Sequence, residues 1–400
     1  MIHLFFHALA ASAGAGLTYV RNIVPHLASR NDLQATILLG PQLRAEFASP
    51  QNVSFVEMET SGAARRFWQE QTRVPELVRQ SGADVLISTG NFALRNSPVP
   101  QILLSGNSLY TSADFDRDLR SRGAWGIWLD TRVKAVFARR SVSWADATVA
   151  PSQAFAETLR QWTGRNVVSI PHGFDREAFF ASGTPLPPET EAAVRSAQGA
   201  LRLLFVSHYN YYRNFETLLR ALPLLKHRLD GREIRLFLTC RLRSDANPGA
   251  YRAESAAALV GKLGIDREVV ELGTVPYELL HHVYRAADIY VTPAYTETFA
   301  HPLVEAMASG LPIVASDIPV HHEVCAGNAL FFDRFSPENL AQRVEELAPS
   351  SGLAREMADR GRLRSQDFSW QKHVDQMVGL ACSLGTSGPG FAPGMADKRA

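Results

Sequence analysis

A chain of 400 residues exceeds what one ordinary hydrophobic core serves, and so reads as two domains of roughly 150 to 200 residues each. Its composition, 46% hydrophobic and 20% charged, is that of a soluble globular protein and excludes a disordered or fibrous chain. With 41 basic and 40 acidic side chains the net charge is +1, so no global field draws it to nucleic acid, and an anionic ligand must be held by local geometry.

The opening MIHLFFHALAASAGAG lacks a basic start, and His3 and His7 interrupt its apolar run, so it is expected to form a first strand rather than a signal peptide. The apolar runs QATILLG, VSFVE, ADVLIS, PQILLS, ADATVA and NVVSIP follow, separated by helical stretches such as LTYVRNIVPHLA and SQAFAETLRQW. Their lengths suit buried parallel strands. Residues 181–200, ASGTPLPPETEAAVRSAQGA, carry no strand pattern and read as a linker or peripheral helix. The rhythm then restarts with RLLFVS, EIRLFLT, EVVELG, DIYVT, LPIVAS and NALFFD, alternating with RNFETLLRALPLLKHRL, PYELLHHVYRAA and SPENLAQRVEEL. Two doubly wound α/β sheets in tandem are therefore expected, followed by a disordered tail, GTSGPGFAPGMADKRA. Cys240, Cys325 and Cys382 are odd in number and widely spaced, which suggests neither disulfides nor zinc and fits a reducing cytoplasm. No stretch approaches the roughly 18 apolar residues of a membrane span.

Ligands of open α/β sheets sit beyond the carboxyl ends of the strands, so the loops there carry the chemistry. Gly14 and Gly16 lie between strand 1 and helix 1, where small residues let backbone amides approach an anion. In VSHYNYYRNFETLLRA, His208 closes a strand and Arg213 opens a helix, and a guanidinium is a planar fork suited to phosphate oxygens. Because a cation at a helix N-terminus is disfavoured by the macrodipole, its placement there points to a ligand. Gly273, Thr274 and Val275 follow a strand; their exposed backbone suits a nucleobase edge, although from these residues alone a simple connection is the favoured reading. In YTETFAHPLVEAMASG, Glu297 belongs to a loop and Glu305 to the first turn of a helix opened by Pro302 and capped by Gly310. The amides of Thr298, Phe299, Ala300 and His301 are placed for a phosphate between the two carboxylates. A phosphate flanked by hydroxyl-bearing groups describes a sugar nucleotide, with Glu297 on the sugar and Glu305 on the ribose.

The stretch ETFAHPLVEAMASGLPIVAS, followed by EVCAGNALFFD, resembles the signature of the retaining family 4 glycosyltransferases of GT-B fold, roughly E-G-F-G-x-P-x-x-E-A-M-A-x-G-x-P-V-V-A-S. FVSHYNYYRN is similar to the family's V-G-R-L-x-x-x-K-N, with His208 at its arginine and Arg213 at its lysine. SIPHGFD, ELGTVPYELLHHVYRAADIYVTPA and DFSWQKHVDQM resemble its interdomain, base-binding and closing segments, so that the likeness covers most of residues 146–380. It implies two Rossmann-like domains facing each other across a cleft. Their expected bounds are residues 1–176 on the acceptor side and 177–367 for the nucleotide sugar, with 368–384 a closing helix that crosses back and 385–400 the tail.

The function implied is retaining transfer of a sugar from a nucleotide diphosphate sugar to a hydroxyl of a glycan, lipid-linked or small-molecule acceptor. Neither cofactor nor metal is required, and nucleic acid is not a partner. Arg213, with His208, would stabilise the departing diphosphate, and Glu297 would orient the sugar. Three positions depart from the pattern. Thr298 and Ala300 replace glycines, so a positive φ at either would demand local change. His208 in place of arginine weakens a fixed charge. Gly106 occupies the place of a frequent catalytic histidine, leaving Asn107 beside it as the candidate. An epimerase of the same fold and a noncatalytic sugar-nucleotide binder are the competing readings; the spacing of the two glutamates argues against the first, whereas Gly106 motivates the second.

Two further features fall outside these loops. The DFD at Asp114 to Asp116 is expected at the surface. Residues 117–144 mix basic side chains with Trp125, Trp128, Phe137 and Trp144. They read either as a domain helix with Leu129, Val133 and Val136 inward, or as a helix docking on anionic lipid, which would make a cytoplasmic protein peripheral at the membrane.

Overall fold

The computed structural model describes residues 1–11, 14–48, 50–60, 62–347 and 352–385. The chain divides into two compact units. In the first, strands β1 (Ile2–His7), β2 (Leu33–Leu39), β3 (Val53–Glu57), β4 (Val85–Ser88), β5 (Gln101–Leu104), β6 (Ala147–Ala150) and β7 (Val168–Ser169) form one parallel sheet. Its order is β3-β2-β1-β4-β5-β6-β7. Helices α1 (Gly14–Ala28), α2 (Pro41–Arg44) and α3 (Ala63–Ser81) connect the first strands. Between β5 and β6 lie α4 (Ala113–Ser121) and α5 (Trp125–Trp144), and α6 (Gln153–Thr163) precedes β7.

A short helix, α7 (Arg176–Phe180), follows β7, and a second, α8 (Pro188–Ser196), lies within the stretch 181–200 that has no strand pattern. The second sheet contains β8 (Leu201–Phe205), β9 (Ile234–Leu238), β10 (Val269–Glu271), β11 (Ile289–Thr292), β12 (Ile313–Ser316) and β13 (Leu330–Phe332). These strands are parallel in the order β10-β9-β8-β11-β12-β13. Its helices are α9 (Phe215–Arg228), α10 (Glu254–Leu263), α11 (Leu280–Ala286), α12 (His301–Ser309), α13 (Pro319–Cys325), α14 (Pro337–Glu346) and α15 (Gly352–Ser365). The final helix, α16 (Trp370–Gly385), packs Trp370, Val374 and Met377 into the core of the first unit.

The inner strands of both sheets are buried on two faces, and this is why β4, β11 and β12 are continuous runs of apolar or small residues. In the second sheet the strand order reverses between β8 and β11, so the crevice for a ligand lies beyond their carboxyl ends. The loops leaving those two strands carry His208 and Arg213 after β8, and Glu297 after β11.

One segment changes sides. Residues 108–132, expected within the domain ending at 176, belong to the second unit. The cause is apolar: Phe115 and Leu119 of α4 are fully buried in the second unit's core beside Phe215, Leu218 and Tyr295. Burying two such side chains contributes roughly 2 kcal/mol or more each. The tail expected from residue 385 is helical at Gly385, the end of α16, and residues 386–400 lie outside the described ones.

Candidate functional site

The loop after β8 closes with a single 3-10 turn over Tyr211–Arg213, and Asn214 adopts the left-handed conformation, φ 54°, before α9 begins. Arg213 therefore stands just ahead of the helix rather than on it. Asn214 tolerates this backbone because its side chain bonds locally, its Oδ1 accepting from the Thr217 hydroxyl at 2.9 Å; its Nδ2 reaches far along the chain, donating to the Pro293 carbonyl at 3.1 Å and to the Arg334 carbonyl at 2.5 Å. The Tyr295 amide donates to the Tyr212 carbonyl at 3.1 Å, so the loops after β8 and β11 are joined through their backbones. The Ser316 hydroxyl at the end of β12 donates to the Ala294 carbonyl and anchors the second loop from its other side.

These anchors bring Arg213 and Glu297 together, although 84 residues separate them. Arg213 Nη1 donates to Glu297 Oε1, while the guanidinium lies 5.0 Å from the centre of the Tyr212 ring. Arg213 Nε is buried and has no partner. The two groups expected to serve phosphate and sugar separately thus hold each other, with one donor of the fork still to be satisfied. This explains a cation beside a helix N-terminus, since its charge is met by a carboxylate. His208 is exposed on the same loop; partial desolvation first, and then the charge of Arg213, lower its pKa. It is accordingly a neutral ring near pH 7, not a fixed charge.

Helix α12 begins with Ala300 in the left-handed region, φ 65°, followed by Pro302 in its first turn. Alanine pays about 1 to 2 kcal/mol for that backbone, which glycine adopts freely. The sequence pattern raised this point at Thr298 and Ala300, and the structure locates it at Ala300. Gly310, φ 74°, closes the helix with its amide on the Ala306 and Met307 carbonyls, and a Cβ there would collide with the Arg362 guanidinium.

Two members of this group sit deeper than expected. Phe299 is buried, edge-on to Phe368 with ring centres 5.3 Å apart, so its side chain belongs to the core. Glu305 lies in the second turn of α12, not the first, and is only 4% exposed. Its Oε2 accepts from the Tyr284 hydroxyl at 2.7 Å. Burial pushes its carboxyl up to about 7, opposed by that hydrogen bond.

After β10, Gly273 has φ 76°, and a Cβ there would lie 3.2 Å from Arg241 Nε. Thr274 beside it is exposed and Val275 is buried. In the first unit, Gly14 and Gly16 fall inside the first turn of α1 instead of the loop before it, and residues 12 and 13 lie outside the described ones. Gly16 permits a close approach, with its virtual Cβ 3.4 Å from Ala11 Cα. Asn107 follows β5, next to Gly106, whose amide donates to Asn91 Oδ1 at 2.7 Å.

The DFD is not a free surface motif. Asp114 accepts from Arg334 Nε at 2.9 Å, and Asp116 from Trp128 Nε1 at 2.8 Å. Residues that sequence reasoning missed include Asn214, Tyr284 and His321. The last is buried with Nδ1 3.0 Å from the Ser316 carbonyl oxygen, and burial lowers its pKa to about 4. Only Asn214 had a signal, the asparagine directly after the cation in RNFET.

Residues 188–364 match the family described as glycosyl transferases group 1. The chain is 29% identical over 257 residues to a D-inositol 3-phosphate glycosyltransferase of Nocardia farcinica, spanning 60% of this chain and 53% of that one. With a D-inositol 3-phosphate glycosyltransferase of Corynebacterium jeikeium it shares 31% identity over 188 residues, 46% of this chain and 44% of the relative. The chain thus spans about half the length of the curated relatives it matches. Among solved structures, sucrose-phosphate synthase from Thermosynechococcus elongatus has a TM-score of 0.73 at 17% identity, covering 97% of this chain and 100% of that one. Anabaena HepE in complex with UDP-glucose has a TM-score of 0.71 at 17% identity, with coverage of 96% and 100%. These likenesses establish a GT-B fold.

Proposed function

We propose that this chain, whose residues 188–364 match the glycosyl transferases group 1 family, transfers a sugar from a nucleotide diphosphate sugar to an acceptor hydroxyl with retention of configuration. The observation that carries the reading is the meeting of Arg213 and Glu297 at the switch point of the second sheet. In this assignment the diphosphate lies against the N-terminus of α12, with the charge of the Arg213 guanidinium and the His208 ring serving its oxygens. Charge grows on those oxygens as the sugar departs, so a preorganised guanidinium lowers the barrier. Glu297 accepts from the sugar hydroxyls and fixes the anomeric carbon. Glu305 takes the ribose, the Gly273–Val275 backbone takes the base, and Asn107 is assigned to the acceptor side. The charge is handled by side chains and helix amides, without a metal ion. Both relatives and the HepE complex support this over an epimerase, since the relatives are named transferases and HepE holds a nucleotide sugar.

The test is stabilisation by donor. Millimolar UDP-glucose, or another UDP-, GDP- or ADP-sugar in the panel, is expected to raise the thermal midpoint of the full chain, because a ligand of the folded state alone shifts the equilibrium. A panel with no effect would remove the assignment.

A lipid-linked acceptor, with peripheral membrane contact through residues 117–144, is the further part of the reading. Among the described residues no helix is long and apolar enough to cross a membrane. Along α5, however, Trp125, Leu129, Val133 and Val136 are 58%, 59%, 49% and 54% exposed, the reverse of the inward placement expected for the last three. Their spacing aligns them on one helix face, with exposed Arg132, Arg139 and Arg140 beside them. Single exposed apolar residues mean little, but a stripe bordered by cations suits an anionic bilayer surface. Co-sedimentation should show binding to phosphatidylglycerol vesicles and not to phosphatidylcholine. The double variant Leu129→Asp, Val133→Asp should weaken it about tenfold or more. Equal binding by that variant would count against this face.

A further inference from the structure

Helix α4 reaches the second unit from the chain between β5 and β6, and its polar side chains end on the two donor loops. We infer that α4 is a strut that sets the position of those loops, with Asp118, Arg122 and Tyr295 as positioning residues. Tyr295 stands two residues before Glu297 and is buried; its hydroxyl donates to Asp118 Oδ2 at 2.9 Å. Asp118 Oδ1 accepts from Arg122 Nε at 2.7 Å. The Arg122 fork continues, with Nη1 donating to Glu216 Oε1 at 2.9 Å and the guanidinium 4.3 Å from the centre of the Tyr211 ring. Glu216 Oε1 also accepts from the hydroxyl of Tyr209, the neighbour of His208, at 3.0 Å. One chain of hydrogen bonds therefore runs from the Glu297 loop through α4 to the loop of His208 and Arg213.

The apolar side of α4 reinforces it. Phe115 meets Tyr212 edge-on with ring centres 6.2 Å apart, and Tyr212 is the ring under the Arg213 guanidinium. At the start of α4, Asp114 holds Arg334, whose carbonyl receives the Asn214 side chain. Beside these contacts the space is not packed. A cavity of about 710 Å³ is lined by Asp118, Arg122, Glu216, Arg220, Lys262 and Phe335. Over that face α4 is fastened by directed bonds to charged groups and not by close packing, so loss of one bond shifts the loops instead of merely weakening a core. The Tyr295 hydroxyl is held protonated by burial and then by the nearby Asp118 charge, which keeps it a donor.

This inference rests on the glycosyl-transfer reading for its activity consequence, but not for its geometric one. In the full chain, Tyr295→Phe removes only the hydroxyl, Asp118→Ala removes the acceptor, and Asp118→Asn keeps an acceptor oxygen. Hydrogen exchange of amides in 206–213 and 293–300 is expected to quicken about tenfold in the first two variants, with β8 and β11 unchanged. The thermal midpoint of Tyr295→Phe should move by about 2 °C or less, while UDP-glucose or the stabilising donor binds about tenfold more weakly. Asp118→Asn should recover much of both effects. Unchanged exchange in the two loops, or faster exchange across the whole second sheet, would overturn the strut. Failure of the wild-type protein to bind any nucleotide sugar would instead remove the functional reading, and the exchange measurement would still decide on α4.

Discussion

Arg213→Ala is expected to lower kcat by about 10²- to 10³-fold, the range found when one preorganised donor to a developing oxyanion is removed. The guanidinium is the strong cation on the loop at the switch point, its fork is already oriented by Glu297 and Tyr212, and one donor is unmatched. His208 cannot replace it, because its lowered pKa leaves the ring neutral at working pH. Arg213→Lys should retain part of the rate, since it keeps the charge and loses the planar fork. Removing the arginine also leaves Glu297 without its cation, so some loss could come from a disturbed fold. The double variant Arg213→Ala, Glu297→Gln isolates the folding part: its stability should return toward that of the wild type, and the rate loss of Arg213→Ala should persist under conditions where urea unfolding shows that single variant to be fully folded. Steady-state rates with the donor identified by thermal stabilisation, beside urea unfolding, give both readouts. A kcat within threefold of wild type in Arg213→Ala would exclude a role in leaving-group stabilisation.

The second large effect concerns pH. The ordinary carboxyl value for Glu305 is 4.5, and burial raises it to about 7 in the folded protein. The folded state then binds a proton that the unfolded state has released, so stability falls as pH rises from about 4.5 to about 7 and is level above that. The difference amounts to about 3 kcal/mol at pH 8, by the conversion of about 1.4 kcal/mol per pH unit. Glu305→Gln keeps the shape and cannot ionise. It should flatten the urea-unfolding profile between pH 5 and 8, and above pH 7.5 should exceed the wild type in stability by about 3 kcal/mol. If the functional reading holds, the same variant binds donor less well, since a carboxylate is the better acceptor for ribose hydroxyls. A stability profile for Glu305→Gln that parallels the wild type would show that this carboxyl is ionised throughout.

Much of the architecture was legible because parallel strands are buried on both faces and appear as bare apolar runs. VLIS, IYVT and IVAS admit few other readings, and the loops after them are where an open α/β sheet holds ligands. The ends of α12 were equally plain, since Pro302 and Gly310 act through their own backbones. What stayed hidden depends on partners far along the chain. No local rule says that Arg213 and Glu297 meet, because each alone is a reasonable ligand for something else. The depth of Glu305 was missed for a related reason: helical spacing gives a direction around the axis and not the thickness of protein outside it. Spacing likewise groups Leu129, Val133 and Val136 on one face without saying whether anything covers that face. The allegiance of α4 follows from a core made of residues that come roughly a hundred positions later.

That allegiance has a consequence for synthesis. Phe115 and Leu119 leave the ribosome well before β8, β11 and β13, the strands whose core they enter. At about 5–20 residues per second, the wait for β13 is on the order of ten seconds or more. During that interval the first sheet has all its strands but α4 has no place to pack, and a polypeptide stopped before residue 200 would carry it as an unburied amphipathic hook. The second unit is correspondingly not a contiguous gene segment: a fragment beginning at residue 174 omits one of its own helices.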